Sequence, residues 1–76
     1  MGKNNIKIEL TPKQQEVYYT IKKYIKENKI SPTIRELCKI MGLKSTATIQ
    51  QHLEKLKEKG YISYIYHSGR SIAILK

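Results

Sequence analysis

The stretch SPTIRELCKIMGLKSTATIQQHLEKLKEKG, residues 31–60, decides the fold of this 76-residue chain. Thr33 and the glutamate three residues after it form a capping box that starts a helix of about eight residues. Gly42 ends that helix, and Ser45 caps the next one, which runs to Gly60. A short helix, a short turn containing Gly and a second helix form the helix-turn-helix motif.

A longer helix precedes the motif. Thr11, Pro12 and Gln14 supply an N-cap residue, a proline at the first helical position and the partner residue of a capping box. We therefore predict a first helix from about Pro12 to Glu27 or Asn28, whose buried stripe consists of Val17, Tyr18, Ile21 and Ile25.

A β-hairpin follows the motif. YISYIY (61–66) and SIAIL (71–75) are rich in β-branched and aromatic residues, and the HSGR between them contains the glycine that a hairpin turn favours. We expect this hairpin to pack on the helices through Ile62, Ile72 and Ile74. The predicted fold is a winged helix-turn-helix, mainly α with a small β-hairpin, over residues 10–76, preceded by a flexible basic arm at residues 1–9.

The charge of the chain predicts a polyanionic partner. Fifteen Lys and Arg residues against six Asp and Glu residues give a formal net charge of +9. The apolar runs are too short to cross a membrane and no signal peptide is evident, so we expect a cytoplasmic protein associated with the nucleoid. Cys38, His52 and His67 do not form a convincing zinc-binding set, and we expect no metal or other cofactor.

The outward face of the third helix carries neutral groups suited to reading DNA bases. At 100° per residue, Ala47, Gln50, Gln51, Glu54 and Glu58 lie opposite the apolar stripe of Ile49, Leu53 and Leu56. Amide and hydroxyl side chains can discriminate base edges, whereas lysines mainly find phosphates. The same residue types also fit helix caps and a solvated surface, and the two glutamates favour docking of the N-terminal turns alone.

A second group of residues is placed to contact the DNA backbone. Lys44 precedes the recognition helix, the second helix begins near Ser31 and Thr33, and an arginine at the hairpin tip could reach a phosphate or a minor groove. Each of these residues also fits an ordinary surface or capping role. The predicted backbone contacts are Ser31, Thr33, Lys44, Lys55, His67, Ser68 and Arg70.

The chain resembles the N-terminal DNA-binding domain of the LexA repressors over residues 10–75. The resemblance lies in LTPKQQEVYYTIKKYI, SPTIREL, GLKSTATIQQHLEKLKEKGYI and GRSIAIL, which agree in order and spacing. It implies repression of DNA-damage (SOS) genes by a dimer on an inverted-repeat operator, with a recognition helix at about 45–59 and a wing at 61–75 near DNA at Arg70. It also implies that the base-facing positions are Ser45, Ala47, Thr48, Gln50 and Gln51.

The chain departs from that family in one respect. LexA has a second domain that dimerises and carries a self-cleaving Ser/Lys dyad, and these 76 residues contain no counterpart. We therefore expect no self-cleavage, and we expect dimerisation to come from DNA, from a further domain or from a partner protein. An excised repressor domain and a stand-alone bacterial, phage or plasmid protein both remain open.

Two other classes of function are alternatives to DNA binding. A protein-interaction module, such as an anti-repressor or a modulator of another regulator, would use an apolar surface, for which Tyr19, Tyr24, Ile34 and Ile40 are the candidates. An enzyme using Ser45 and a nearby lysine lacks an implied oxyanion site and pocket. We predict a protein that is not an enzyme.

Overall fold

A computed structural model of the chain describes residues 10–65 and 69–76. In these residues three helices precede a two-stranded antiparallel hairpin, which confirms the predicted winged helix-turn-helix. The arm predicted for residues 1–9 lies outside the described residues. The elements are α1 (Pro12–Asn28), α2 (Ile34–Met41), α3 (Thr46–Glu58), β1 (Ile62–Ser63) and β2 (Ala73–Ile74).

The first helix begins at the predicted capping box. The Thr11 hydroxyl accepts a hydrogen bond from the backbone N–H of Gln14 at 3.1 Å, and the Gln14 side chain accepts one from the Thr11 N–H at 3.1 Å. The helix ends at Lys29, which is left-handed at φ +64° and donates its N–H to the carbonyl of Ile25 at 2.8 Å. Both ends of α1 are therefore closed by local hydrogen bonds.

Two glycines end the helices of the helix-turn-helix motif. Gly42 closes α2 at φ +70°, and Gly60 follows α3 at φ +79°. Both positions lie in the left-handed region that favours glycine. After Gly60, the N–H of Tyr61 returns to the carbonyl of Leu56 at 3.0 Å, which directs the chain from α3 into the hairpin.

One core joins the helices to the hairpin. Leu53 of α3 lies between its neighbours Ile49 and Leu56, and all three side chains are fully buried. Since this stripe anchors α3, the opposite face of the helix is left toward solvent. The buried apolar residues are Val17, Tyr18, Ile21, Leu37, Cys38, Ile49, Leu53, Leu56, Ile62, Tyr64 and Ile72.

The C-terminal end of α3 is tied to α1. Gln14 is buried, and its side-chain oxygen accepts a hydrogen bond from Lys59 Nζ at 3.0 Å. The ring of Tyr18 meets that of Tyr61 edge-on at 5.2 Å, and the Tyr18 hydroxyl donates to the carbonyl of Lys76. These contacts lie at the end of α3 away from Ser45, so they leave its N-terminal turns uncovered.

The hairpin ladder is shorter than predicted. The sequence predicts strands over 61–66 and 71–75, but among the described residues of the hairpin the ladder pairs Ile62 with Ile74 and Ser63 with Ala73 alone. Beyond them the Ser71 hydroxyl replaces the ladder, because it accepts from the N–H of Ile65 at 2.9 Å and donates to the carbonyl of that residue at 3.2 Å. Ile62 is buried as predicted, whereas Ile74 is partly buried and packs against the edge of the core.

Candidate nucleic-acid interface

The N-terminal turns of α3 are open to solvent. Ser45 caps the helix, and its hydroxyl accepts a hydrogen bond from the N–H of Ala47 at 3.1 Å. Ala47, Thr48 and Gln51 are exposed, and Gln50 is half-buried. The five residues predicted to read bases therefore lie together on an accessible helix end that carries no lysine of its own.

A shallow depression runs along this face. Its volume is about 400 Å³, and it is lined by Ala47, Gln50, Gln51 and Glu54. These positions are spaced i, i+3, i+4 and i+7, the spacing of one helix face. The depression presents two side-chain amides and a methyl group, which can form hydrogen bonds to adenine and contact a thymine methyl group.

A carboxylate closes the C-terminal end of the depression. The hydroxyl of Tyr64 donates a hydrogen bond to Glu54, and Lys57 lies over the Tyr64 ring at 5.2 Å while its ammonium donates to the Tyr64 carbonyl at 3.1 Å. Tyr64 itself is buried, so the carboxylate is oriented by a rigid partner. A negative charge held at this point disfavours a phosphate next to Glu54.

The predicted lysine contacts are accessible. Lys44 is exposed in the turn between α2 and α3. Lys55 is exposed on α3 and its ammonium lies 3.7 Å from the carboxylate of Glu58. An exposed pair of this kind contributes little to stability and can exchange its partner for a phosphate.

The two hydroxyls predicted to contact phosphate form internal hydrogen bonds. The Thr33 hydroxyl accepts from the N–H of Glu36 at 3.0 Å as the cap of α2. The Ser31 hydroxyl donates to the carbonyl of Pro32 at 2.8 Å and accepts from the N–H of Ile72 at 3.0 Å. Contacts of Ser31 and Thr33 with phosphate stay a prediction. In the structure the Thr33 hydroxyl caps α2, and the Ser31 hydroxyl joins the segment before α2 to the wing.

Arg70, the predicted wing contact, is bound to α2. Its Nη2 lies 2.9 Å from Glu36 Oε2 and its Nη1 lies 3.0 Å from Glu36 Oε1. Nη1 also donates to the carbonyl of Ser31 at 2.8 Å. His67 and Ser68, the other predicted contacts of the wing tip, lie outside the described residues.

Glu36 accepts hydrogen bonds from four donor groups. Besides the two guanidinium nitrogens of Arg70, the Thr33 N–H and the Tyr24 hydroxyl each donate to its Oε1 at 3.0 Å. The guanidinium is the main cause that lowers the pKa of Glu36 to about 2, and the Thr33 N–H acts in the same direction. The carboxylate stays ionised at any pH at which the folded chain meets DNA.

This lowered pKa predicts a pH-dependent contribution to folding. An acid with a lower pKa in the folded chain stabilises it above the unfolded pKa, near 4.5, and this stabilisation is lost as the pH falls to about 2. We expect Glu36→Gln to lower the unfolding temperature at about pH 7, with the difference from wild type closing in strong acid. Thermal unfolding followed by circular dichroism across that range measures it.

The matched control for this prediction is Glu58→Gln. The Glu58 carboxylate lies 3.7 Å from the exposed Lys55 ammonium, so its replacement should change the unfolding temperature less. Equal shifts for the two variants at neutral pH would contradict the assignment of a special environment to Glu36.

Sequence reasoning missed the role of Glu36 beyond its capping box. A glutamate three residues after a threonine predicts a local cap, but its partners Tyr24 and Arg70 come from α1 and from the wing. The spacing of these residues in the sequence carries no signal of the contact. Only the packing of the three elements brings them together.

Possible metal-binding groups, the single cysteine and possible membrane-spanning helices are further features of the described residues that bear on function. No group of three or more His, Cys, Asp or Glu residues within 10–65 and 69–76 could hold a metal ion. Cys38 is buried, its Sγ lies 3.5 Å from the Ser45 carbonyl, and burial raises the pKa of its thiol. No helix in this part of the chain is long and apolar enough to cross a membrane.

Comparison with known proteins identifies the family. The family model of the LexA DNA-binding domain matches residues 7–71. The chain belongs to the LexA DNA-binding domain family. This match covers α1, the helix-turn-helix motif and most of the wing, so the resemblance predicted from the sequence is confirmed.

Individual relatives agree with the LexA assignment. The chain is 46% identical over 70 residues to a LexA repressor of Caldicellulosiruptor saccharolyticus, covering 92% of this chain and 35% of that protein. It is 45% identical over 64 residues to a LexA repressor of Clostridium novyi, covering 84% and 31%. A LexA repressor of Desulfatibacillum aliphaticivorans is 43% identical over 68 residues, covering 90% and 34%. The chain thus spans about a third of the length of these relatives.

Proposed function

We propose that this chain binds double-stranded DNA in a sequence-specific manner and represses transcription by occupying its operator. The exposed, lysine-free N-terminal end of α3 on a chain of net charge +9 carries the proposal. In the proposed complex this end of α3 faces base edges in the major groove. The groups that face the bases are the amides of Gln50 and Gln51, the methyl group of Ala47 and the hydroxyls of Ser45 and Thr48. Membership of the LexA DNA-binding domain family supports it.

The lysines supply the part of the affinity that does not depend on sequence. Lys44 precedes the exposed end of α3, and Lys55 is exposed on a later turn of the same helix. Ser31, Thr33, His67 and Ser68 remain candidates for the backbone side of the interface, whereas Arg70 would have to leave Glu36 to join them. A single small domain binds DNA weakly, so we propose a dimer on an inverted repeat, formed on DNA or through a further domain or partner.

Selection from randomised duplexes tests the proposal. The 76-residue chain is equilibrated with the pool at low salt, because non-specific binding of such a domain is in the range of roughly 10⁻⁴ to 10⁻⁶ M at physiological salt. A base preference repeated in two inverted half-sites supports the proposal. Retention of all sequences alike would show a non-specific DNA binder instead.

Replacement of Lys44 should weaken binding to all duplexes alike. Because a lysine that neutralises one phosphate releases about one counterion, Lys44→Ala should reduce the slope of log affinity against log salt by about 0.9 and leave the selected base preference unchanged. Fluorescence anisotropy over roughly 50 to 200 mM salt measures the slope.

The control for this lysine is Lys23→Ala on α1. Lys23 is exposed and lines a separate depression with Thr20, Tyr24, Glu27 and Ile40. Lys23→Ala should leave the slope of log affinity against log salt unchanged. Equal slopes for Lys44→Ala and wild type would remove Lys44 from the interface.

The alternative of a protein-interaction module keeps two of its four apolar candidate residues exposed. Ile34 packs against the core, and the Tyr24 hydroxyl donates to Glu36. Tyr19 and Ile40 remain exposed, at 61% and 55%. Gel filtration with a random duplex separates the two proposals, since a protein-binding module should release the duplex at modest salt and show no base preference.

A further inference from the structure

Arg70 and Ile72 of the wing are joined to α2 and to the segment before it. Its own ladder contains two residue pairs, Ile62 with Ile74 and Ser63 with Ala73. So short a hairpin does not fix its position alone. Beyond the ladder, three hydrogen bonds join Arg70 to Glu36 and to the Ser31 carbonyl, and a fourth joins the Ile72 N–H to the Ser31 hydroxyl at 3.0 Å.

The guanidinium of Arg70 is committed to these contacts. Three of its five N–H donors point at Glu36 and Ser31, at 2.8 to 3.0 Å. The geometry with Glu36 is bidentate, which an ammonium cannot reproduce. The two side chains are 42% and 36% exposed, so solvent screening limits the stabilisation that the ion pair gives the whole domain, and we expect its main effect to be on the direction of the wing.

We propose that Arg70 is a positioning residue that fixes the wing against the start of α2 through Glu36. We call the contacts of Ser31, Glu36 and Arg70 the wing latch. The wing latch sets the position of the wing when α3 binds DNA, so its role in binding rests on the proposed function. Tyr24 and Thr33 orient the carboxylate that receives the guanidinium. Because the guanidinium of Arg70 forms an ion pair with Glu36, its charge contributes little to phosphate binding.

The opposing reading, in which Arg70 is a phosphate ligand, predicts opposite results for the same variants. For a phosphate ligand, Arg70→Lys should keep most of the affinity and the salt slope, because lysine is also a phosphate-binding cation. Glu36→Gln should then strengthen binding, since it frees the guanidinium and removes a negative charge near DNA.

For the wing latch, Arg70→Lys should behave like Arg70→Gln. Both variants and Glu36→Gln should weaken binding to the selected duplex by roughly twofold to fivefold with an unchanged salt slope. The double variant Glu36→Gln/Arg70→Gln should bind no more weakly than either single variant, because all three changes remove the same contact. Stronger binding by Glu36→Gln, or retained binding by Arg70→Lys, would overturn the proposal.

A measurement without DNA separates the latch from the proposed function. Backbone ¹⁵N relaxation of residues 69–76 should show faster motion in Arg70→Lys and Glu36→Gln than in wild type, and to a similar extent. Unchanged relaxation in both variants would overturn the latch even if DNA binding is confirmed. Increased motion with no DNA binding by any variant would uphold the latch and reject the proposed function.

Discussion

Leu53→Ala should destabilise the domain by about 2 to 5 kcal/mol, the range for deleting a buried leucine side chain. Leu53 is fully buried in the middle of α3, next to Ile49 and Leu56, which are also fully buried. A chain of 76 residues has a total stability of about 4 to 11 kcal/mol, so this one substitution removes a large part of it. Urea unfolding followed by circular dichroism measures the loss.

The control for Leu53→Ala is Glu58→Ala on the same helix. Glu58 is exposed, and its 3.7 Å contact with Lys55 is worth about 1 kcal/mol or less. Its replacement should move the urea midpoint little. A Leu53→Ala midpoint equal to that of Glu58→Ala would show that the apolar stripe of α3 does not anchor the helix.

The same variant bears on the DNA-binding face. Leu53 is buried and lies on the side of α3 opposite the exposed Gln51, so the folded fraction of Leu53→Ala should keep the base preference of wild type. Its apparent affinity should fall in proportion to the folded fraction. A changed base preference would mean that packing of this leucine alters the exposed face.

The helices were predictable because their signals are local. Thr11, Thr33 and Ser45 satisfy backbone N–H groups within three residues, and Gly42 takes up a left-handed conformation that other residues adopt at a cost. The apolar stripe of α3 likewise follows from helical spacing. Such features need no knowledge of the rest of the fold.

The wing was predicted less well because its structure depends on distant partners. The alternation of residues 61–66 and 71–75 predicts long strands, but Ser71 replaces the ladder near Ile65 and Tyr64 turns to Glu54 of α3. The contact of Arg70 with Glu36 joins residues 34 apart in the sequence. Local sequence patterns cannot reveal a contact between residues so far apart. The sequence therefore predicted Arg70 as a DNA contact rather than as a partner of α2.

The candidate site was predictable as a surface but not as a set of contacts. Helical projection placed Ala47, Gln50, Gln51 and Glu54 on one face, and the structure shows these four residues around one depression. Their partners within the chain, such as the buried Tyr64 hydroxyl on Glu54, required the fold. Variants of Gln50 and Gln51 test which bases these two side chains contact.

Gln50→Ala and Gln51→Ala should each weaken binding to the selected duplex by about 1 to 3 kcal/mol, roughly 5-fold to 150-fold. A side-chain amide that forms two hydrogen bonds to an adenine discriminates against other bases, so each loss should also relax the preference at one position of each half-site. Repeating the duplex selection with each variant shows which position changes.

Gln15→Ala on α1 is the matched control. Gln15 is exposed and its amide donates to the Leu10 carbonyl at 3.2 Å, near the end of the molecule where α1 meets the C-terminal end of α3. The same chemical change there should leave affinity and base preference unchanged. Because Gln51 is exposed, its replacement should also leave the urea midpoint near that of wild type, which separates a lost contact from lost folding.

The pattern of loss distinguishes reading of bases from contact with phosphates. If the amides contact the DNA backbone, both variants should weaken all duplexes alike and keep the selected motif, as expected for Lys44→Ala. If they read bases, the motif should change while binding to random duplexes stays constant. An unchanged motif with unchanged affinity in both variants would place the DNA contact away from the exposed face of α3 and contradict the proposed recognition mode.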